Sequence, residues 1–357
     1  MSSEPDISFI MCVYNGEKTL EHAVNSVIRL QAVKLELLLI DDGSTDSTPR
    51  LCDTLASADS RIRVFHKQNE GVGLSRTFAL KNAAGKYLFF CDADDEICGD
   101  GVMQLLSKIN EGYDVVCGMY YRTENGKTER VGEHLPSGEV SRVGDDAAVS
   151  LFHKIKTEST FGYSTNKLYR RSFLEETGVL FEDNRRVINE DTLFNSELFS
   201  RRPRYYFLNV PVYNIIINGP SISHGPDPKI AEKSVAMLAC YNAYLRSFGM
   251  VDENMDIYVP LAMRLLCWAL FKNMPYEGIS YRALLGHVHA FTGSEAFRCI
   301  LHNKGRKREL RKLPSVAQQI FYGYCYSIAD VLGGNLLALT FAILYPAFKL
   351  YIGKTLK

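Results

Sequence analysis

Tyr87-Leu88-Phe89-Phe90-Cys91-Asp92-Ala93-Asp94-Asp95 is a short apolar run that ends in three carboxylates. A run of this length with polar flanks reads as a buried strand. In an open α/β sheet the carboxyl ends of the strands are where ligands bind. Carboxylates crowded there repel one another unless a cation or a donor-rich ligand relieves them. Hard oxygen donors suit Mg2+ or Mn2+, which keep several waters and share the phosphates of a substrate. The local reading is a metal–diphosphate site at a strand tip. The alternative is a solvated acidic turn in which Asp95 caps a following helix.

Outward from this stretch, strand-like and helix-like segments alternate. Ile7 to Val13 is an apolar run, and Leu20, Ala23, Val24, Val27 and Ile28 then recur at helical spacing. Residues 35–40 form a second run, followed by Asp41-Asp42-Gly43-Ser44-Thr45-Asp46-Ser47, a turn rich in helix-cap residues. A helix with Leu51 and Leu55 follows, then a strand over 62–65 and a helix over 73–84. Beyond the opening stretch, Val102, Leu105, Leu106 and Ile109 mark another helix, and 114–120 another strand. The alternation predicts an α/β fold with a mostly parallel sheet covered by helices on both faces.

Three polar groups then fall at strand ends: Tyr14-Asn15-Gly16-Glu17, Asp41-Asp42-Gly43-Ser44 and Asp92-Ala93-Asp94-Asp95. One topology brings all three to a single edge. Asp42 is placed to accept a hydrogen bond from a uracil-type N–H, and Asn15 and Glu17 offer groups for base and ribose. Each is also an ordinary turn former. There is no G-x-G-x-x-G after the first strand and no G-x-x-x-x-G-K-[ST], which argues against a dinucleotide dehydrogenase and a P-loop enzyme.

The chain of 357 residues is long enough for two domains, and 46% hydrophobic with 23% charged residues is a globular composition. Lys+Arg and Asp+Glu balance at 41 each, so no global charge favours nucleic acid. Nine scattered cysteines without a C-x-x-C pair argue against zinc and fit reduced thiols. The polar, acidic start Met1-Ser2-Ser3-Glu4-Pro5-Asp6 is not a signal peptide, so the catalytic domain is expected on the cytoplasmic side.

Taken in order, Val13-Tyr14-Asn15-Gly16-Glu17, Ile40-Asp41-Asp42-Gly43-Ser44-Thr45-Asp46, Asn69-Glu70-Gly71-Val72-Gly73 and Phe89-Phe90-Cys91-Asp92-Ala93-Asp94-Asp95 resemble glycosyltransferase family 2. The likeness continues through Asn166-Lys167-Leu168-Tyr169 and Asn189-Glu190-Asp191-Thr192-Leu193-Phe194. It implies the GT-A fold, a Rossmann-like mixed sheet flanked by helices. It also implies an inverting, Mn2+- or Mg2+-dependent transfer of a hexose or N-acetylhexosamine from a UDP-sugar to a saccharide acceptor, as in bacterial capsule, exopolysaccharide or cell-wall synthesis. By the same resemblance Val13, Tyr14, Asn15, Glu17, Asp42, Gly71, Arg76, Asp92 and Ala93 line the nucleotide-sugar site. Asp94 is the direct metal ligand, with Asp92 at ribose or metal-bound water, and Asp191 is the general base. One departure is Ser75-Arg76-Thr77, where the family often has Ala-Arg-Asn; Arg76 is kept and faces either the diphosphate or an acidic neighbour.

Glu190 and Asp191 open a helical pattern with Leu193, Phe194, Glu197 and Leu198, where stabilisation of a helix start is the alternative role. His224 is a further candidate for the metal, against a plain surface or packing role. The catalytic domain is expected over 1–225, with a nucleotide-sugar half to about 120 and an acceptor half after it. A helical extension follows over 226–357, with candidate helices at 231–248 and 260–271 and Trp268 in the core or at an acceptor wall. Basic residues over 304–312 precede a largely apolar run at 336–352 that Pro346 and Lys349 interrupt. That pattern suggests peripheral attachment to the inner face of the plasma membrane and a lipid-linked acceptor, with homo-oligomer or core packing as the alternative. Two other functions remain open at this point: a nucleotidyltransferase, and a non-catalytic saccharide-binding scaffold.

Overall fold

The computed structural model describes residues 4–108, 111–131, 135–142, 146–155, 159–217, 227–271, 281–303, 306–311 and 325. The chain forms two compact units, Met1–Arg185 with Asn189–Ser223, and Arg186–Ile188 with His224–Lys357.

The first unit begins with β1 (Ile7–Val13), α1 (Leu20–Ile28), β2 (Leu35–Asp41), α2 (Thr48–Ala58), β3 (Ile62–His66), α3 (Val72–Asn82) and β4 (Tyr87–Asp92). These strands pair in parallel in the order β3-β2-β1-β4. β2 is buried along its whole length, as a strand covered on both faces must be. One cover is α1, which turns Leu20, Ala23, Val24 and Val27 into the core. Each leucine or valine side chain withdrawn from water contributes about 1.5–3 kcal/mol. The chain winds from β1 toward β3 and then crosses back to β4, so the order reverses beside β1. That reversal opens a crevice at the carboxyl ends.

The unit continues with β5 (Glu96–Ile97), α4 (Gly99–Ser107), β6 (Val115–Glu124), β7 (Lys127–Val131), β8 (Gly138–Val140), α5 (Asp146–Ile155), α6 (Ser159–Gly162), β9 (Lys167–Arg170), α7 (Arg171–Thr177), α8 (Glu190–Ser200) and β10 (Tyr205–Ile217). The sheet extends as β4-β9-β6-β10-β5, with β7 on β6 and β8 on β10. β9 runs antiparallel to both β4 and β6. The parallel core follows the sequence expectation, and the second half makes the sheet mixed. Asn125 and Gly126 both have positive φ, at 51° and 75°, and close the β6–β7 hairpin, where two left-handed residues match the strand twist.

The described part of the second unit is helical: α9 (Ile230–Ser247), α10 (Met255–Phe271), α11 (Tyr281–Gly293), α12 (Glu295–Leu301) and α13 (Arg306–Leu310). α10 starts five residues before Pro260, where the sequence reading began it. A proline this early forfeits a single intrahelical bond. Tyr241 and Tyr258 meet edge to face at 5.4 Å, and the Tyr258 hydroxyl donates to the Ala296 carbonyl at 3.0 Å. Trp268 is half-buried on α10. The basic cluster divides: Arg306 is buried and donates to the Leu301 carbonyl, while Lys307, Arg308 and Arg311 are exposed. Among the described residues no helix is long and apolar enough to cross a membrane. The apolar run at 336–352 lies outside the described residues, as does His224. All nine cysteines are unbridged and none is fully exposed.

Candidate active site

The strand register assembles the site. Val13 lies opposite Asp41, and Cys12 opposite Asp92. The three polar groups therefore meet at one edge, as the sequence predicted. Val13 is buried, and its carbonyl accepts the Asp42 N–H at 2.9 Å. Asn15 adopts a left-handed φ of 52°. Its N–H donates to Ser44 Oγ at 2.9 Å, and its Oδ1 accepts the Thr45 N–H at 2.8 Å. Glu17 Oε2 accepts from the Ser47 N–H at 3.2 Å and from Ser47 Oγ at 2.5 Å. These oxygens, read from sequence as groups for base and ribose, stitch the first turn to the second. The ring of Tyr14 stays 53% exposed.

Asp42 is buried and takes four donors. Lys67 Nζ at 2.9 Å, the Glu70 N–H at 3.0 Å and Ser75 Oγ at 2.8 Å reach Oδ1, and the Gly71 N–H reaches Oδ2 at 2.8 Å. Burial opposes its charge, but these donors outweigh burial and hold the carboxyl below its ordinary range. Gly71 has φ +93°, and a Cβ there would come within 2.2 Å of Asn184 Oδ1.

At the end of β4, the Asp92 N–H donates to the Tyr213 hydroxyl at 2.9 Å, and its Oδ1 accepts Arg76 Nη2 at 2.8 Å. The cleft strips much of its hydration and pushes the carboxyl up, against Arg76, although 41% of the side chain still meets solvent. Ala93 is buried. Asp94 is exposed on the turn and takes no hydrogen bond among the described residues. Asp95 is buried, accepts the Ile216 N–H at 2.8 Å, and is pushed up to about 8 by burial and by Asp92. It ties the turn to β10 and does not cap α4, whose first residue is Gly99.

Arg76 joins the two ends of the site. It is buried on α3, with its guanidinium 5.5 Å from the Phe181 ring centre. Nη2 holds Asp92, while Nη1 holds Glu190 Oε1 at 3.2 Å and Asp191 Oδ1 in a close contact. Both carboxylates occupy the first turn of α8, where the helix dipole favours negative charge. Burial and the adjoining Asp191 push Glu190 up to about 7, against Arg76. The other Asp191 oxygen accepts from the Ser164 N–H at 3.2 Å and from Ser164 Oγ at 2.9 Å. Of the two partners foreseen for Arg76, the structure shows the acidic ones. Thr77, at the position of the family's Asn, donates from Oγ1 to the Phe181 carbonyl and accepts the Phe181 N–H, both at 3.0 Å.

The sequence reading passed over Ser164 and its neighbours. Nothing in a lone serine before Asn166-Lys167-Leu168-Tyr169 distinguishes a carboxylate partner from a loop residue. The shared feature is visible only once α8 is packed against the loop.

Among the described residues no three His, Cys, Asp or Glu side chains gather around a common point for a metal. Asp94, open to solvent, and the partly exposed Asp92 fit a different kind of ion. Mg2+ and Mn2+ need only one or two protein carboxylates when substrate phosphates and water complete the shell.

Residues 8–178 match the glycosyl transferase family 2 domain. The uncharacterized glycosyltransferase EpsJ of Bacillus subtilis is 28% identical over 263 residues, covering 71% of this chain and 75% of that protein. A cholesterol galactosyltransferase of Borreliella burgdorferi is 24% identical, covering 75% of each. Among solved structures, S. aureus TarS 1–349 in complex with UDP-GlcNAc superposes with a TM-score of 0.65 over 92% of both chains at 18% identity, a likeness of fold. With the GT-A architecture in place, the segment from β1 past β9 carries a glycosyltransferase family 2 domain, and the chain is a glycosyltransferase.

Proposed function

We propose that the chain is an inverting, divalent-metal-dependent hexosyltransferase that moves a hexose or N-acetylhexosamine from a UDP-sugar to a saccharide acceptor. The observation that carries this is the Arg76 bridge, which sets Asp92 of the strand-tip motif and Asp191 of the α8 start on one guanidinium. A donor-side carboxylate and an acceptor-side carboxylate are thereby fixed in one small volume.

The nucleotide-sugar lies along the edge formed by Val13, Tyr14, Asn15, Glu17, Asp42, Gly71, Arg76, Asp92 and Ala93. The exposed Tyr14 ring offers a face for the base. Asp94 and Asp92 would hold the cation, which would supply positive charge to offset that of the diphosphate. Asp191, oriented by Ser164, accepts the proton of the acceptor hydroxyl. That oxygen bonds to the anomeric carbon as the bond to the diphosphate oxygen breaks, UDP departs from the opposite face, and configuration inverts. The UDP-GlcNAc carried by TarS supports a UDP-linked donor. The cholesterol substrate in the name of the Borreliella relative supports a membrane-borne acceptor. Attachment through 304–357 would bring the enzyme to it.

The test is UDP release from a panel of UDP-sugars with Mn2+ or Mg2+, for the wild type and for Asp191→Asn. The variant is expected to bind UDP as the wild type does and to lose roughly 100-fold or more in turnover. Undiminished turnover in Asp191→Asn removes the base assignment, and the absence of UDP binding in the wild type removes the donor.

A further inference from the structure

Among the described residues, Tyr163 is one of few large apolar side chains left exposed, at 44%. Its backbone is nonetheless held by buried polar groups. Lys167, fully buried on β9, donates its ammonium to the Tyr163 carbonyl in a close contact and to Asn166 Oδ1 at 2.9 Å. Asn195, fully buried on α8, donates to the Gly162 carbonyl at 3.0 Å and to the Tyr163 carbonyl at 3.3 Å. Tyr169 fixes that amide by donating to Asn195 Oδ1 at 2.9 Å. A Cβ on Gly162 would meet Thr192 Oγ1 at 2.7 Å, so this loop lies directly on α8. The ring itself stands edge-on to Tyr120, with centroids 5.8 Å apart at 82°.

A buried ammonium is expensive in hydration, and burial lowers the Lys167 pKa from its ordinary value. Here it holds the backbone of an aromatic residue that is 44% exposed. The next residue, Ser164, holds Asp191 through both its N–H and its hydroxyl. Ring and carboxylate are therefore parts of one rigid pedestal, with a single residue between them.

Given the glycosyl-transfer reading above, we infer that Tyr163 is the stacking platform for the acceptor sugar. The C–H face of a pyranose packs on the exposed ring, and one of its hydroxyls is thereby presented to Asp191. Aromatic faces carry negative potential that suits the polarised C–H groups of a sugar. A flat saccharide is a better occupant than a peptide or an anion, because the loop offers an aromatic ring next in sequence to the serine that holds a carboxylate.

The experiment is saturation-transfer NMR on the full chain with UDP and Mg2+. The probes are the methyl β-glycosides of glucose, galactose and N-acetylglucosamine, compared across wild type, Tyr163→Phe and Tyr163→Ala. Transfer to ring C–H protons of at least one glycoside is expected in the wild type and in Tyr163→Phe. A loss of about fivefold or more is expected in Tyr163→Ala. UDP affinity within about twofold of wild type shows that the alanine variant is folded. Equal transfer in wild type and Tyr163→Ala, or none to any glycoside in the wild type, overturns the platform. The same samples report UDP binding separately: its absence alongside intact glycoside transfer would defeat the donor assignment and leave the platform standing.

Discussion

Lys67 Nζ lies 2.9 Å from Asp42 Oδ1, and both side chains are nearly buried, at 12% and 5% exposure. The pair organises the segment from Lys67 to Ser75, because the same carboxylate also takes the N–H groups of Glu70 and Gly71. An amide at position 42 has one acceptor oxygen and turns an NH2 toward donors. Asp42→Asn is therefore expected to lower unfolding free energy by about 3 kcal/mol in urea titrations. A loss below about 0.5 kcal/mol would contradict this role. Because folding depresses this carboxyl below its ordinary 3.8, its contribution is present above that pH and fades as pH falls through the folded value.

His66 titrates with the opposite sign. Its Nδ1 is 2.8 Å from the buried Asp41 and its Nε2 is 3.2 Å from Asp53. The Asp41 hydrogen bond, more than the opposing burial, raises its pKa above the ordinary 6.5. The stabilisation is fully present below 6.5 and is lost as pH rises through the folded value. The difference in unfolding free energy between wild type and His66→Gln should thus shrink from pH 6 to pH 9. A difference that grew with pH would mean the ring is held neutral.

Gly73 lies in the first turn of α3, where a Cβ would stand 2.0 Å from the Glu182 carbonyl oxygen. The obstacle is backbone, so no rotamer change relieves it. Gly73→Ala should lower stability by about 1–3 kcal/mol despite alanine's better helix propensity. A rise in melting temperature would show that the segment at 182 yields freely.

Arg76→Met leaves Asp92, Glu190 and Asp191 without their shared cation. A loss of about 3–5 kcal/mol in unfolding free energy is expected. Adding Glu190→Gln removes one of the mutually repelling carboxylates, and the double variant should recover part of that loss. Additive losses in the denaturation cycle would show that Glu190 and Arg76 do not act together. Lysine is a poor substitute, since a point charge lacks the fork that reaches two sides at once.

The strands that shape the site were legible because burial on both faces leaves an almost unbroken apolar run, as in residues 35–40 and 87–91. The convergence of Tyr14, Asp42 and Asp92 followed from topology alone. The functions of individual oxygens were not legible. Asn15 and Glu17, candidate ligand groups, also bind Ser44, Thr45 and Ser47, and Asp95 binds Ile216. β5, β8 and β9, of two to four residues, carry no periodicity to read. The buried Lys167 ran against expectation for a charged residue, and its partners are backbone and amide oxygens that no pattern announces.

β9 pairs with β4 on one side and β6 on the other, with Phe89 opposite Leu168 and Leu168 opposite Val116. The strand that ends in Asp92 is thus laced by backbone hydrogen bonds to the half that carries the Tyr163 loop. Enzymes built from two lobes open and close on a hinge, whereas here one sheet runs through both parts. Displacements within such a sheet are expected in side chains and turns more than between its two halves. New sugar preferences would then evolve by local replacement along a fixed edge, with no change in how far a cleft swings shut.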